Sequence, residues 1–212
     1  NIDLTEFKCI LNDFHNLPAR IRQFNEVCKS INEETRGNCS DLINTINIIS
    51  KRFKIIYSSS LKLRLCHNDS KLNNILFSKS KKGLYLIDVD TIMPGLILYD
   101  FGDTVRTLVN PTSEEERDLS KIKFNKEMFD SFISGFKTAL LNIEENERKL
   151  LPLSVALMPF MHGVRALTDH LNGNKYFKVD YPNQNLIRAK NLIKFSQVAL
   201  SNEEYMKKII NS

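Results

Sequence analysis

Residues 65–77 read LCHNDSKLNNILF, a stretch that sets a His, an Asp, a Lys and neighbouring Asn residues between two apolar runs. In a loop, Asp69 is free to take a proton from a hydroxyl. Asn74 opens the run NILF (74–77), and a second run, LYLIDVD (84–90), carries Asp88 and Asp90 near its end. Antiparallel pairing of the two runs brings Asn74 and Asp88 side by side. An amide oxygen next to a carboxylate suits a hard cation such as Mg²⁺, which takes few protein ligands and fills its other positions with water and substrate phosphates. Together these residue types fit transfer of a phosphoryl group to an alcohol. Asp69 would be the base, Lys71 would lie near the transferred phosphoryl, and Asn74 with Asp88 would hold the metal.

The spacing sharpens this reading. H-x-D-x-K-x-x-N at His67, Asp69, Lys71 and Asn74 is the catalytic-loop pattern of kinases, and Asp88 follows on a strand as the second metal Asp should. Residues 100–102 spell D-F-G, the tripeptide that carries the metal Asp in protein kinases. Asp100 does not take that role here, because it lies 31 residues after Asp69, whereas Asp88, at 19, falls where one short hairpin delivers it. Asp100 is expected at the start of a helix, hydrogen-bonding the loop from below. His67 reads as a packed histidine that braces the loop. A lysine such as Lys71, taken alone, is more often a solvated surface residue. Asp90 is open between a second metal or substrate ligand and a hydrogen-bonding partner of the loop.

The elements that must position these groups are mostly helical. Pro18 suits the first turn of a helix with Leu17, Ile21, Phe24 and Cys28 on one side, and Ser40 with Asp41 can cap a second carrying Leu42, Ile46, Ile49 and Phe53. Short apolar runs follow at LRLC (63–66), 74–77 and 84–90, the last two separated by KSKKG, which predicts a β-hairpin preceded by a loop. The helical period returns over 126–141, over 144–171 with an expected break or kink at Pro152 and Pro159 and an end at Asn172 and Gly173, and then over 183–200 and 202–210. The predicted fold class is α+β, mostly helical, with one small β-hairpin carrying the catalytic loop.

With 212 residues and 42% hydrophobic content, the chain is expected to form a single core. A net charge of +5 is spread from Lys8 to Lys208 and forms no basic stripe interleaved with aromatics, so nucleic acid is not an expected partner. Cys9, Cys28, Cys39 and Cys66 include no C-x-x-C pair, which argues against a zinc site or a disulfide scaffold and reads as reduced thiols of a cytoplasmic protein. No signal-peptide pattern opens the sequence, and no uninterrupted apolar run approaches the roughly 20 residues that span a bilayer, so no membrane partner is expected. The first residue is Asn1 rather than Met, which raises the expectation of an upstream segment.

HNDSKLNN followed by IDVDTIMPGLILYDFGD resembles the aminoglycoside phosphotransferase and choline kinase superfamily, and most closely the N-acetylhexosamine 1-kinases. The likeness extends to DFHNLPARIRQF near the start and to GVRALTDHLNGNKYFKVDYPNQNLIRAKN (163–191), so it covers most of the chain. It implies a protein-kinase-like C-terminal lobe over 1–212, ATP as co-substrate, Mg²⁺ as cofactor, Asp69 as catalytic base, and Asn74 and Asp88 as metal ligands. It also implies sugar binding by Arg165 and Tyr176, with Asn68 as a further sugar contact. The plain alternatives are an Arg165–Asp169 ion pair at i,i+4 and loop packing of Tyr176. The chain departs from the family in two places. No glycine precedes Gly37 and no strand-borne Lys precedes the helices, so the small ATP-covering lobe is expected to be absent; and there is no Trp. The implied reaction is phosphorylation of the anomeric hydroxyl of an N-acetylhexosamine. Its rivals are a kinase of choline, ethanolamine, an aminoglycoside or another small alcohol, and a non-catalytic sugar-binding remnant.

Overall fold

The start of the first long helix follows from two residues. The Asn16 side chain accepts from the Ala19 N–H at 3.1 Å, and Pro18 sits in the first turn, where its missing N–H costs nothing. In the computed structural model, which describes residues 3–80, 84–139 and 142–212, this helix is α1 (Leu17–Ser30). It buries Leu17, Phe24 and Cys28, as the apolar spacing predicts. Two helices follow, α2 (Glu33–Asn38), capped by Asn32, and α3 (Ser40–Ile49), then a 3₁₀ turn into α4 (Lys54–Ser58). The expected Ser40 and Asp41 cap does not form: Cys39 holds the cap position and no side chain satisfies the first N–H groups there.

The β structure is two small antiparallel pairs. Strand β2 (Ile75–Phe77) pairs with β3 (Leu84–Leu86), Leu76 opposite Tyr85, which is the hairpin the sequence predicts. Of the intervening KSKKG, residues 81–83 lie outside the described residues. The LRLC run forms β1 (Arg64–Cys66), and its partner is β4 (Met93–Gly95), a strand with no apolar run to announce it. Pro94 is tolerated because a two-stranded ribbon consists only of edges. The consequence is a clamp: β1 and β4 hold both ends of the segment that contains the loop and the hairpin.

The remaining helices are α5 (Ile97–Val109), α6 (Lys126–Ala139), α7 (Glu145–Leu171), α8 (Gln184–Ser201) and α9 (Glu203–Asn211). The last two lie within a residue of expectation, and the final two residues expected in α6 lie outside the described residues. Prolines 152 and 159 do not divide α7. Each leaves the carbonyl four residues earlier without its helical donor, yet this helix packs against α8, α5 and α1, and the burial of its apolar residues on several sides outweighs two lost hydrogen bonds. By length and composition α7 passes for a membrane span, but 83% of its most apolar window is buried inside the protein, as in a core helix. Phe53 and Phe160, ring centroids 5.0 Å apart, mark where the N-terminal helices meet it.

Helices α5 and α7 meet at Gly102. A methyl group there would stand 2.7 Å from Met158 Cγ and 2.8 Å from the Ser154 carbonyl carbon, and closer still to the Ser154 oxygen. Because backbone cannot move aside as a side chain can, Gly102→Ala is expected to cost about 1–3 kcal/mol. A chemical-denaturation midpoint equal to that of the unchanged protein would contradict this packing.

Candidate active site

The loop between β1 and β2 is held from beneath by one carboxylate. Asp100, in the first turn of α5, accepts the His67 N–H at 2.8 Å and the Asn68 N–H at 2.7 Å, and its own carbonyl accepts from Ser70 Oγ at 2.8 Å. Burial pushes the Asp100 carboxyl up, and the two backbone N–H groups pull it back. This is the supporting position expected for it. His67 is the second brace: Nε2 donates to the Ile87 carbonyl at 3.0 Å, and Nδ1 accepts the Asp69 N–H at 3.2 Å. That pair of bonds places a donor at Nε2 and an acceptor at Nδ1. The ring ties the loop to the chain leaving β3.

Asn68 adopts a left-handed backbone (φ 63°), which Asn tolerates better than most residues. Its side chain is buried, and Nδ2 lies within 3.2 Å of three carbonyls, those of Cys66, Thr91 and Met93. Its Oδ1 lies 2.5 Å from where a Cβ on Gly95 would stand, so only glycine fits opposite it in β4. In this geometry Asn68 joins the loop to the β4 segment, and the sugar contact expected of it would require those bonds to break. His15, buried ahead of α1, adds a further tie through Nε2 to the Asn68 carbonyl at 2.6 Å. Thr91 Oγ1 donates to the His67 carbonyl at 2.7 Å, and Thr104 Oγ1 to the Ser70 carbonyl at 2.9 Å.

Held in this way, the loop presents Asp69. Lys71 Nζ lies 2.6 Å from Asp69 Oδ2, so this lysine is not merely a solvated surface charge. Asn74 Nδ2 is 2.9 Å from the same oxygen, 2.7 Å from the Asp69 carbonyl and 3.3 Å from Asp88 Oδ2. Asp88 lies just past β3 with φ 64°, a left-handed turn that swings its carboxylate back toward Asn74. The convergence expected of Asn74 and Asp88 is present, although both stand just outside the strands that position them. One carboxylate and one amide oxygen suit Mg²⁺, which needs few protein ligands, but here Asn74 turns its Nδ2 donor toward the carboxylates, so holding the ion with Asp88 would require the amide to present Oδ1 instead. No cluster of three His, Cys, Asp or Glu residues suited to a closed metal cage occurs among the described residues. Asp90 is exposed on the turn that follows and has no hydrogen bond or ion pair among the described residues.

Asp69 and Lys71 line a cavity of about 580 Å³ whose far wall carries Arg165, Arg188, Phe14 and Phe177. The Arg165 guanidinium lies 5.6 Å from the Phe14 ring centre and 5.7 Å from that of Phe177. It makes no ion pair with Asp169, whose carboxylate instead accepts the backbone N–H groups of Tyr176 (2.8 Å) and Phe177 (3.0 Å) and Asn185 Nδ2 (3.0 Å). Asp169 therefore shapes the 176–177 turn under Arg165. Tyr176 is 72% exposed; its hydroxyl is 3.4 Å from Arg165 Nη2, and it lines a neighbouring cavity rather than the one that holds Asp69.

Four charged or titratable wall residues escape a reading of the sequence. Arg106 bonds Asp103 at 2.6 Å and Glu114 at 2.7 Å; Arg188 bonds Glu114 at 2.9 Å; His162 lies 3.5 Å from Asp103. Burial alone would raise the Asp103 carboxyl, but Arg106 and His162 hold it well below the usual range. Burial likewise opposes ionisation of Glu114, yet Arg106, His162 and Arg188 bring it down to about 2. His15, deprived of water, is lowered to about 4. For each of these three groups the folded pKa lies below the unfolded one, so between the two values the unfolded chain binds more protons and stability falls as pH falls. The expected result is acid destabilisation that begins near pH 6.5, as His15 resists protonation down to about 4, and continues from about 4.5 toward 2 through Glu114. Melting temperatures across pH 7 to 3 check it; a flat profile between 6.5 and 4 would contradict the burial of a neutral His15.

Residues 45–124, which contain the loop, both strand pairs and α5, match the family model of APH, the phosphotransferase enzyme family. The matched segment holds Asp69, Lys71, Asn74, Asp88 and Asp100, while the wall formed by α7 and α8 lies beyond it.

Proposed function

We propose that the chain carries the catalytic loop and acceptor site of an ATP-dependent kinase that phosphorylates the anomeric hydroxyl of an N-acetylhexosamine. The match to a phosphotransferase family supports the reaction class. The acceptor assignment rests on one observation: Asp69 and Arg165 face a single cavity of about 580 Å³ that also offers the aromatic faces of Phe14 and Phe177. A sugar is read by forked donors and flat apolar surfaces, and this wall supplies both.

In this reading Asp69 accepts the proton of the acceptor hydroxyl as its oxygen attacks the γ-phosphorus, and ADP departs. Lys71 orients the Asp69 carboxylate beforehand and is near enough to meet the negative charge of the transferred group. Asn74 and Asp88 would hold Mg²⁺, which when bound supplies positive charge to the phosphates. Asp100, His67 and Asn68 keep the loop fixed, so that no reorganisation is needed during reaction. Leu84, Tyr85 and Phe77 leave the hairpin with an apolar surface more than 60% exposed, which suits a small ATP-covering lobe seated against it.

Charge weighs against the cationic acceptors. Lys71, Arg106, Arg165 and Arg188 line the cavity against Asp69 and Glu114, and Glu114 is already shared between two arginines. Choline or an aminoglycoside would meet a positive wall. Initial rates of ADP release by the complete gene product with N-acetylglucosamine, N-acetylgalactosamine, choline and an aminoglycoside, each supplied separately, test the assignment. Turnover confined to the hexosamines supports it; turnover confined to a cationic acceptor refutes it, and sugar binding without turnover favours the non-catalytic reading.

A further inference from the structure

Five arginines are at least partly buried: Arg20, Arg64, Arg106, Arg165 and Arg188. Three of them pair with carboxylates, Arg64 with Glu147, Arg106 with Asp103 and Glu114, and Arg188 with Glu114. Arg20 and Arg165 pair with none among the described residues: Arg20 donates through Nη2 to the Asp13 carbonyl at 3.0 Å, and Arg165 reaches only the Tyr176 hydroxyl. The Arg20 Nε is buried and has no partner. Both residues line one cavity of about 270 Å³, together with Lys175, Gln23 and Thr168, next to the cavity that holds Asp69. Arg165 belongs to the walls of both.

Two partly buried guanidinium groups facing the same space repel each other, and burial, with Arg20 next, lowers the affinity of Arg165 for its proton. An anion between them removes that repulsion and fills the empty donor positions with charge-assisted hydrogen bonds. The one carboxylate in this cavity, Asp169, does not cancel the charge by ion pairing, because its oxygens are taken by two backbone N–H groups and Asn185. We propose that this cavity is an anion subsite for a phosphate or carboxylate group, with Arg20 and Arg165 as its donors and Lys175 at its rim. The proposal does not require the kinase reading, since it concerns binding alone. The anion could arrive as a substituent of the acceptor or as a free ion, and the chemistry that holds it is the same.

Calorimetric titration of inorganic phosphate into the complete gene product, at ionic strength held constant with chloride, tests it. Saturable binding at one site is expected, weakened at least tenfold by Arg20→Gln and several-fold by Lys175→Gln. Lys149→Gln, at an exposed position on the opposite end of α7, should leave it unchanged. Absence of saturable heat overturns the subsite, as does Arg20→Gln titrating like the unchanged protein while melting at the same temperature. Lys175 is exposed, so its variant keeps the test valid even if Arg20→Gln folds poorly. Competition by N-acetylglucosamine 6-phosphate assigns the source: displacement of phosphate with tenfold higher affinity than the neutral sugar makes the anion part of the acceptor. Equal affinities for sugar and sugar phosphate, with phosphate still bound, make it a free ion. Phosphate binding measured without ATP stands or falls apart from turnover.

Discussion

Asp69→Asn is expected to lower kcat by about 10²–10⁴-fold and to leave the melting temperature within a degree or two of the unchanged protein. The two parts of this expectation have separate causes. Turnover falls because an amide cannot accept the hydroxyl proton, and because Lys71 loses the carboxylate it meets at 2.6 Å. The fold persists because the loop hangs on backbone atoms of residue 69: its N–H donates to His67 Nδ1, and its carbonyl accepts from Asn74. Full turnover by Asp69→Asn would remove the assigned base. A large loss of stability would mean that the carboxylate is structural.

Asp100→Ala should show the opposite pattern in stability. Its carboxylate is the acceptor for the N–H groups of His67 and Asn68, both in a part-buried loop that offers no replacement. Stranding two donors costs about 2–4 kcal/mol, less than the sum of two charged hydrogen bonds, because the desolvation that raises the Asp100 carboxyl is relieved at the same time. For a chain of this length that corresponds to a fall in melting temperature of roughly 5–15 °C. Activity should fall too, since the loop that carries Asp69 loses its anchor. Asp100→Asn should lie between the two, because one amide oxygen can serve one of the N–H groups. Equal stabilities for all three proteins would mean that the loop is held by His67, Asn68 and Thr91 without Asp100.

The part of this site that could be read from the sequence is the part whose residues are close in the chain. His67, Asp69, Lys71 and Asn74 fall in one loop, Asp88 is delivered by one hairpin, and the helical period places α6 through α9 almost to the residue among the described residues, whereas α5 was legible only as a helix starting near Asp100. Spacing alone excluded Asp100 from the metal role. What the sequence concealed depends on distant pairings. β4 has a Gly and a Pro in place of a β-rich run, and it becomes a strand only because β1 lies beside it. For Asn68 the resemblance implied a sugar contact, whereas its left-handed backbone turns the amide onto the carbonyls of Cys66, Thr91 and Met93. Arg106, Glu114 and Arg188 come from α5, the connection after it and α8, and in sequence each resembles an ordinary surface charge. Arg165 and Asp169 had the i,i+4 spacing of an ion pair, and the backbone of residues 176 and 177 claimed the carboxylate instead. Pro152 and Pro159 were misleading for a related reason, since local propensity yields when a helix is packed on several sides.

We propose that this loop transfers the γ-phosphoryl group of ATP to a sugar hydroxyl. The most direct measurement is ³¹P NMR of the complete gene product with Mg-ATP and a mixture of N-acetylglucosamine, N-acetylgalactosamine, choline and an aminoglycoside. A sugar 1-phosphate resonance that grows in step with ADP is the expected result. An unchanged ATP spectrum, or ADP accompanied by a phosphorylated choline or aminoglycoside, would contradict it.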